Sequence, residues 1–124
     1  KPEWKGEKIS IYDHLRYKYV MALEGNDVAS NLKWIMSSNS IAIMPQPTCE
    51  TWFMEGTLKP DYHYIEVKPD LSDLEEKMDY YSAHPEEAQK IIEHAHEYVK
   101  QFKDKKREEI ISFLVLDKYF NLLK

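Results

Sequence analysis

The spacing of apolar residues divides the chain into short runs suited to strands and longer stripes suited to helices, separated by turn signals. "YKYVMALE" (17–24) is rich in aromatic and branched residues and stops at Gly25, which predicts a strand followed by a turn. From 28 to 38, Val28, Leu32, Ile35 and Met36 recur at helical intervals and form one stripe. "SIAIM" (40–44) is almost wholly apolar and is closed by "PQP", as expected of a parallel strand buried on both faces. A brief helical turn is expected around 50–56, and "YHYIEV" (62–67), closed by Pro69, is the third strand candidate.

The second half reads as helical. Ser72 and Glu75 have capping-box spacing, with Leu71, Leu74, Met78 and Tyr81 as the stripe behind them. Pro85 followed by Glu86 and Glu87 suits the first turn of the next helix, where a missing N–H costs little and acids meet the positive end of the dipole. Its stripe is Ala88, Ile91, Ile92, Ala95, Val99 and Phe102, and a last helix from about 107 carries Ile111, Leu114, Val115, Tyr119 and Leu122. Strand, helix, strand, strand, helix in this order predicts an α/β layer with a parallel sheet and right-handed crossovers. The C-terminal helices either cover that sheet or reach toward a neighbour.

Composition narrows the class. At 124 residues and 43% hydrophobic, the chain suffices for a single domain with its own core. A net charge of −5, with acids and bases interspersed, argues against nucleic acid as a partner. One cysteine, Cys49, excludes an internal disulfide and points to a reducing compartment. No apolar run is long enough to span a bilayer. "KPEWKGEKISIYDHL" opens without an initiator Met and has few apolar residues before Ile9, which suggests a fragment of a longer protein.

In parallel α/β sheets, ligands collect beyond the carboxyl ends of the strands. The unusual residues fall there: Glu24, Gly25, Asn26, Asp27 and Ser30 after the first strand, and Thr48, Cys49 and Glu50 after the second. Gly25 would let the backbone turn and approach a ligand, the N–H groups from Asp27 to Ser30 would form an anion site at a helix start, and Lys33 one turn on could reach a phosphate. The plainer reading of the same loop is an N-cap at Asp27, an ordinary turn at Gly25 and a solvated base at Lys33. It is neither GxGxxG nor a P-loop. Glu50 could accept two hydrogen bonds from the hydroxyls of a ribose or hexose, or be a surface acid. Trp52 and Phe53 could stack on a sugar or base, or pack in the core. His63 could donate to a phosphate, or sit satisfied at a strand head. His94 and His96, two apart on a helix, diverge, and no DxD or HExxH occurs, so no metal site is expected. No histidine stands at a telling distance from Ser30 or Cys49 for a nucleophile triad.

"YKYVMALEG", "ASNLKWIMSSNSIAIM", "ETWF", "HYIEVKPDLSDLEEKMDYY" and "PEEAQKIIEHAHEYV" together resemble, in sequence and in order, the C-terminal nucleotide-sugar-binding half of glycosyltransferase family 90. That family includes CAP10-like enzymes, lipopolysaccharide-modifying enzymes and protein O-glucosyltransferases. The resemblance runs from about Tyr12 to Phe102 or beyond, and its wording is nearest to the bacterial lipopolysaccharide enzymes. It implies a Rossmann-like three-layer half of a GT-B enzyme, with residues 1–124 as a single C-terminal donor domain. It further implies a nucleoside-diphosphate sugar held without metal or other cofactor, and a lipopolysaccharide or saccharide acceptor, with the catalytic base, supplied through an N-terminal domain. The site would be cytoplasmic or peripheral on the inner membrane. The family's glycine falls on Gly25, its phosphate-contacting helix start on Asp27 to Lys33, and its "HYxxV" element on His63, Tyr64 and Val67. Many members carry an arginine where this chain has Asn31, which leaves Lys33 or a base from the other half to meet the diphosphate. The acid–tryptophan pair is spaced differently here, as Glu50, Thr51 and Trp52. The rival expectation is a noncatalytic α/β domain for a phosphorylated ligand or a protein partner. A receiver-like signalling domain lacks the acidic cluster and the lysine it would need.

Overall fold

A computed structural model describes residues 6–124; the first five residues of the opening run lie outside it. Three strands, β1 (Tyr19–Met21), β2 (Ile41–Met44) and β3 (Ile65–Glu66), form a parallel sheet in the order β1-β2-β3. Tyr19 pairs with Ile41 and Ile43 with Ile65, so β2 is central, and all four of its residues are buried, as its unbroken apolar run predicts. The helices are α1 (Ile11–His14), α2 (Leu32–Met36), α3 (Leu74–Ala83), α4 (Pro85–Lys100) and α5 (Lys105–Leu122). Short 3-10 turns occupy Glu55–Thr57 and Gln101–Lys103.

Alternation along the strands sends successive side chains to opposite faces, and each face has its own core. Val20, Ala22, Ala42, Met44 and Tyr64 pack with Leu32, Ile35 and Met36 of α2 on one side. Ile41, Ile43, Ile65 and Val67 pack with Tyr81 of α3 on the other. Helix α4 serves both: Ala88, Ile91 and Ile92 join the α3 side, while Ala95 and Val99 join the α2 side. Its predicted stripe is buried as far as Val99, with Phe102 partly buried against the same core, and Pro85 opens its first turn. The expected α/β layering with a parallel sheet is therefore present.

Several boundaries differ from the sequence expectation. β1 and β3 are shorter than the runs 17–24 and 62–67: β1 pairs only alongside β2, and residues 61–63 form a turn, with the Asp61 N–H donating to Tyr64 O, before β3 begins. Helix α2 begins at Leu32, not near Asp27, and spans five residues, with Asn31 at its N-cap. The Ser72 capping box does not form. Leu71 takes a left-handed φ of 59°, Ser72 donates its N–H to Asp70 Oδ1, and Asp73 becomes the N-cap of α3. Helix α5 has the expected extent but buries none of its residues. Among the described residues no helix is long and apolar enough to cross a membrane.

Candidate functional site

A cleft of about 340 Å³ opens beyond the carboxyl ends of β1 and β2, between the loop 22–31 and the loop 45–50. This is where a parallel α/β sheet gathers ligands. Ala22, Val28, Ala29, Leu32 and Met44 make its wall apolar. Its polar groups include Glu24, Thr48 and Glu55, and none of its lining residues is basic.

Glu24 holds the two loops together. Its carboxylate accepts the Thr48 N–H at 3.1 and 3.2 Å, the Thr48 hydroxyl at 2.6 Å and the Cys49 N–H at 3.1 Å. Partial burial pushes its carboxyl up, but the bonds from Thr48 and Cys49 outweigh that and hold it below its ordinary 4.5. Glu55 is only 2% exposed. It accepts the Thr51 N–H at 2.7 Å and the Thr51 hydroxyl at 2.8 Å, and Lys33 Nζ lies 3.5 Å from its Oε1. Burial again pushes its carboxyl up, yet the Thr51 bonds and the Lys33 charge bring it below its ordinary 4.5.

The residues singled out in the sequence are only partly brought together. Thr48 lines the cleft; the other nine candidates do not. Gly25, Asn26, Asp27 and Ser30 are exposed in the adjoining loop. Gly25 has no positive φ and open space where a Cβ would stand, so the turn does not demand glycine. Asp27 is not the helix cap: its Oδ1 accepts the N–H of Val28, and no helix starts there to collect an anion. Asn31 donates its side-chain amide to Met21 O at 2.9 Å, tying the start of α2 to the end of β1. Lys33 is directed at Glu55 and over the rings of Trp52 and Phe53, 5.4 Å from each centroid.

Glu50 is exposed outside the cleft, with its Oε1 3.1 Å from where a Cβ on Gly56 would sit. The carboxylates that line the cleft are Glu24 and Glu55 instead. Trp52 is 65% exposed and rests edge-on against Phe53 and Phe102. His63 precedes β3, which in a parallel sheet is the edge opposite the cleft. Its Nδ1 accepts the Lys59 N–H at 2.9 Å, and burial, with the nearby charges of His94 and Lys59, pushes it below 6.5. Among the described residues no three His, Cys, Asp or Glu side chains gather into a metal-holding group.

These shifts predict how stability depends on pH. His63 binds a proton less readily folded than unfolded, so stability falls as pH drops below about 6.5. Glu24 and Glu55 have folded values below 4.5, so their contribution is complete above that pH and is lost as pH falls through the folded values. Thermal melts across pH should show a shallow decline followed by a steeper one. His63→Gln should remove only the first stage; a single-stage profile in the unmodified chain would contradict this assignment.

The fold is an α/β layer on a parallel sheet, with its cleft at the strand ends where such folds ordinarily receive ligands. The chain matches the family model described as Glycosyl transferase family 90 over residues 2–124, and it belongs to that family. It is 46% identical over 118 residues to the "O-glucosyltransferase LpsA" of Dichelobacter nodosus, covering 95% of this chain and 37% of that protein. It is 34% identical to the "Protein O-glucosyltransferase 2" of Danio rerio, over 67% of this chain and 16% of that protein. It is 28% identical to the human "Protein O-glucosyltransferase 3", over 93% of this chain and 22% of that protein. The chain thus spans less than two-fifths of the length of each of these relatives.

Proposed function

We propose that this chain is the donor-binding part of a glycosyltransferase that moves a hexosyl group from a nucleoside-diphosphate sugar to a saccharide hydroxyl, in the manner of a GT-B enzyme. The observation that carries this is the cleft at the ends of β1 and β2 in a chain of glycosyltransferase family 90. The name of the 46%-identical relative, an O-glucosyltransferase, supports glucose as the transferred sugar; a lipopolysaccharide saccharide as acceptor, at the cytoplasmic side of the inner membrane, is the rest of the proposal.

The cleft suits the uncharged parts of such a donor. Apolar walls favour a nucleoside. With no basic lining, the cleft does not itself balance a diphosphate. Lys33 is one near cation: its ammonium rests on Glu55, a cleft-lining group, and further bases would come from the rest of the enzyme. In the transfer, the bond from the anomeric carbon to the diphosphate oxygen breaks and its electron pair stays on that oxygen, where nearby positive charge stabilises it. The acceptor oxygen bonds to the anomeric carbon and gives its proton to a base outside this chain.

Titrating the chain with UDP, GDP and their sugars while following amide shifts tests this. Shifts should cluster at residues 22–24, 28–33 and 46–49. Shifts confined to other surfaces, or none at millimolar ligand in either this chain or the longer enzyme, would overturn it. Inorganic pyrophosphate producing the same pattern without a nucleoside would favour the noncatalytic phosphoryl-binding rival.

A further inference from the structure

The loop from Pro45 to Glu50 has little backbone support. Pro45 and Pro47 lack an N–H, and among the described residues no backbone group of 45–50 bonds to other backbone. Two of its four available N–H groups, those of Thr48 and Cys49, go to one carboxylate, and the Thr48 hydroxyl goes there too. That carboxylate belongs to Glu24, which lies 24 residues before Thr48, just past β1, and meets Thr48 directly where both line the cleft. Charge-assisted bonds of this kind are roughly twice as strong as neutral ones. Both oxygens of Glu24 are engaged, which leaves it poorly placed to receive a ligand hydroxyl.

We infer that Glu24 is a positioning residue: its carboxylate latches the loop 45–50 to the end of β1 and so sets the width of the donor cleft. This rests on the donor-binding reading above. Without the latch the loop samples wider positions, and only a fraction of molecules present the closed wall. Apparent donor affinity then falls by that fraction, while the bound complex, which has recruited the loop, turns over much as before. Glutamine is the informative substitution, since it keeps the volume but has one acceptor oxygen and turns an NH2 toward two of the three donors.

Two measurements separate the latch from its role. In Glu24→Gln, hydrogen exchange at the Thr48 and Cys49 amides should accelerate at least tenfold, with core amides such as that of Ile43 unchanged. In the full-length enzyme the same substitution should raise the KM for the nucleotide sugar about tenfold while kcat changes less than threefold. Thr48→Val, which removes only the hydroxyl bond, should show a smaller rise in KM, and Thr48→Ser should restore the unmodified value. If Glu24→Gln does not fold, the Thr48 pair decides. Unchanged exchange overturns the latch. Faster exchange with a normal KM overturns its role in donor binding, as does a fall in kcat with KM unchanged. An unmodified enzyme that binds no nucleotide sugar overturns the donor reading and this role with it, and the exchange data still report whether the latch exists.

Discussion

Lys33→Ala should destabilise the fold by about 2 kcal/mol, in addition to any loss of nucleotide affinity, because the lysine neutralises a carboxylate that is out of water. Glu55 is 2% exposed and the Lys33 side chain 26%, with 3.5 Å between Nζ and Oε1. Removing one member of a fully buried pair costs about 3–5 kcal/mol. The quarter exposure of Lys33 and the Thr51 bonds that remain on Glu55 reduce that figure here. The ammonium also loses its place over the faces of Trp52 and Phe53. Urea unfolding of Lys33→Met, of Glu55→Gln and of the two combined closes a double-mutant cycle. The pair should be less destabilised than the two singles added together, because the double variant leaves no buried charge. An unfolding midpoint for Lys33→Ala equal to that of the unmodified chain would refute the structural role of this lysine. Any affinity loss would then report on ligand contact alone.

Sequence alone treats Lys33 as a solvated base or a phosphate contact, and the reason it misses Glu55 is instructive. Periodicity shows which residues face a core, and it served well for β2 and α4, whose burial follows from their own apolar spacing. A buried acid is recognised by its partners, and those of Glu55 come from Thr51 and from a helix 22 residues earlier, brought together only by the packed fold. Glu50 stands nearer the second strand and was the natural candidate, yet it remains in solvent. Asp27 failed as a cap for a related reason. It has cap chemistry, but the chain from Gly25 to Ser30 runs as loop, and α2 starts only where Asn31 can reach back to Met21 O. The location of the cleft was legible because it depends on strand direction, a property of the whole sheet. Which side chains enter it was not, since one turn of register along a loop exchanges them.

Ending the chain at residue 104 should leave its melting temperature within a few degrees and abolish its self-association. Helix α5 contributes no buried residue, and its apolar side chains are spread around the helix: Phe113 is 72% exposed, Leu114 63%, Val115 62%, Leu116 51% and Phe120 58%. A helix apolar on every side is ordinarily enclosed, whereas here the Asp104 cap and contacts of Arg107 with Gln101 tie its first turn to the domain and none of its residues is buried. An isolated helix of this length is marginal in water, so α5 gains order when its surface is covered. Exposed apolar patches beyond a few hundred Å² drive association. Sedimentation of the 124-residue chain should therefore depend on concentration in the range of tens of micromolar, and that of the shortened chain should not. The contrast with the helix before it makes the test sharper. Ile91→Ala, in the buried stripe of α4, should cost about 2–5 kcal/mol, whereas Phe113→Ala should cost no more than about 0.5 kcal/mol in the same chain. A large loss of stability on removing α5, or on truncating Phe113, would show that this helix packs against its own domain, which its exposure contradicts.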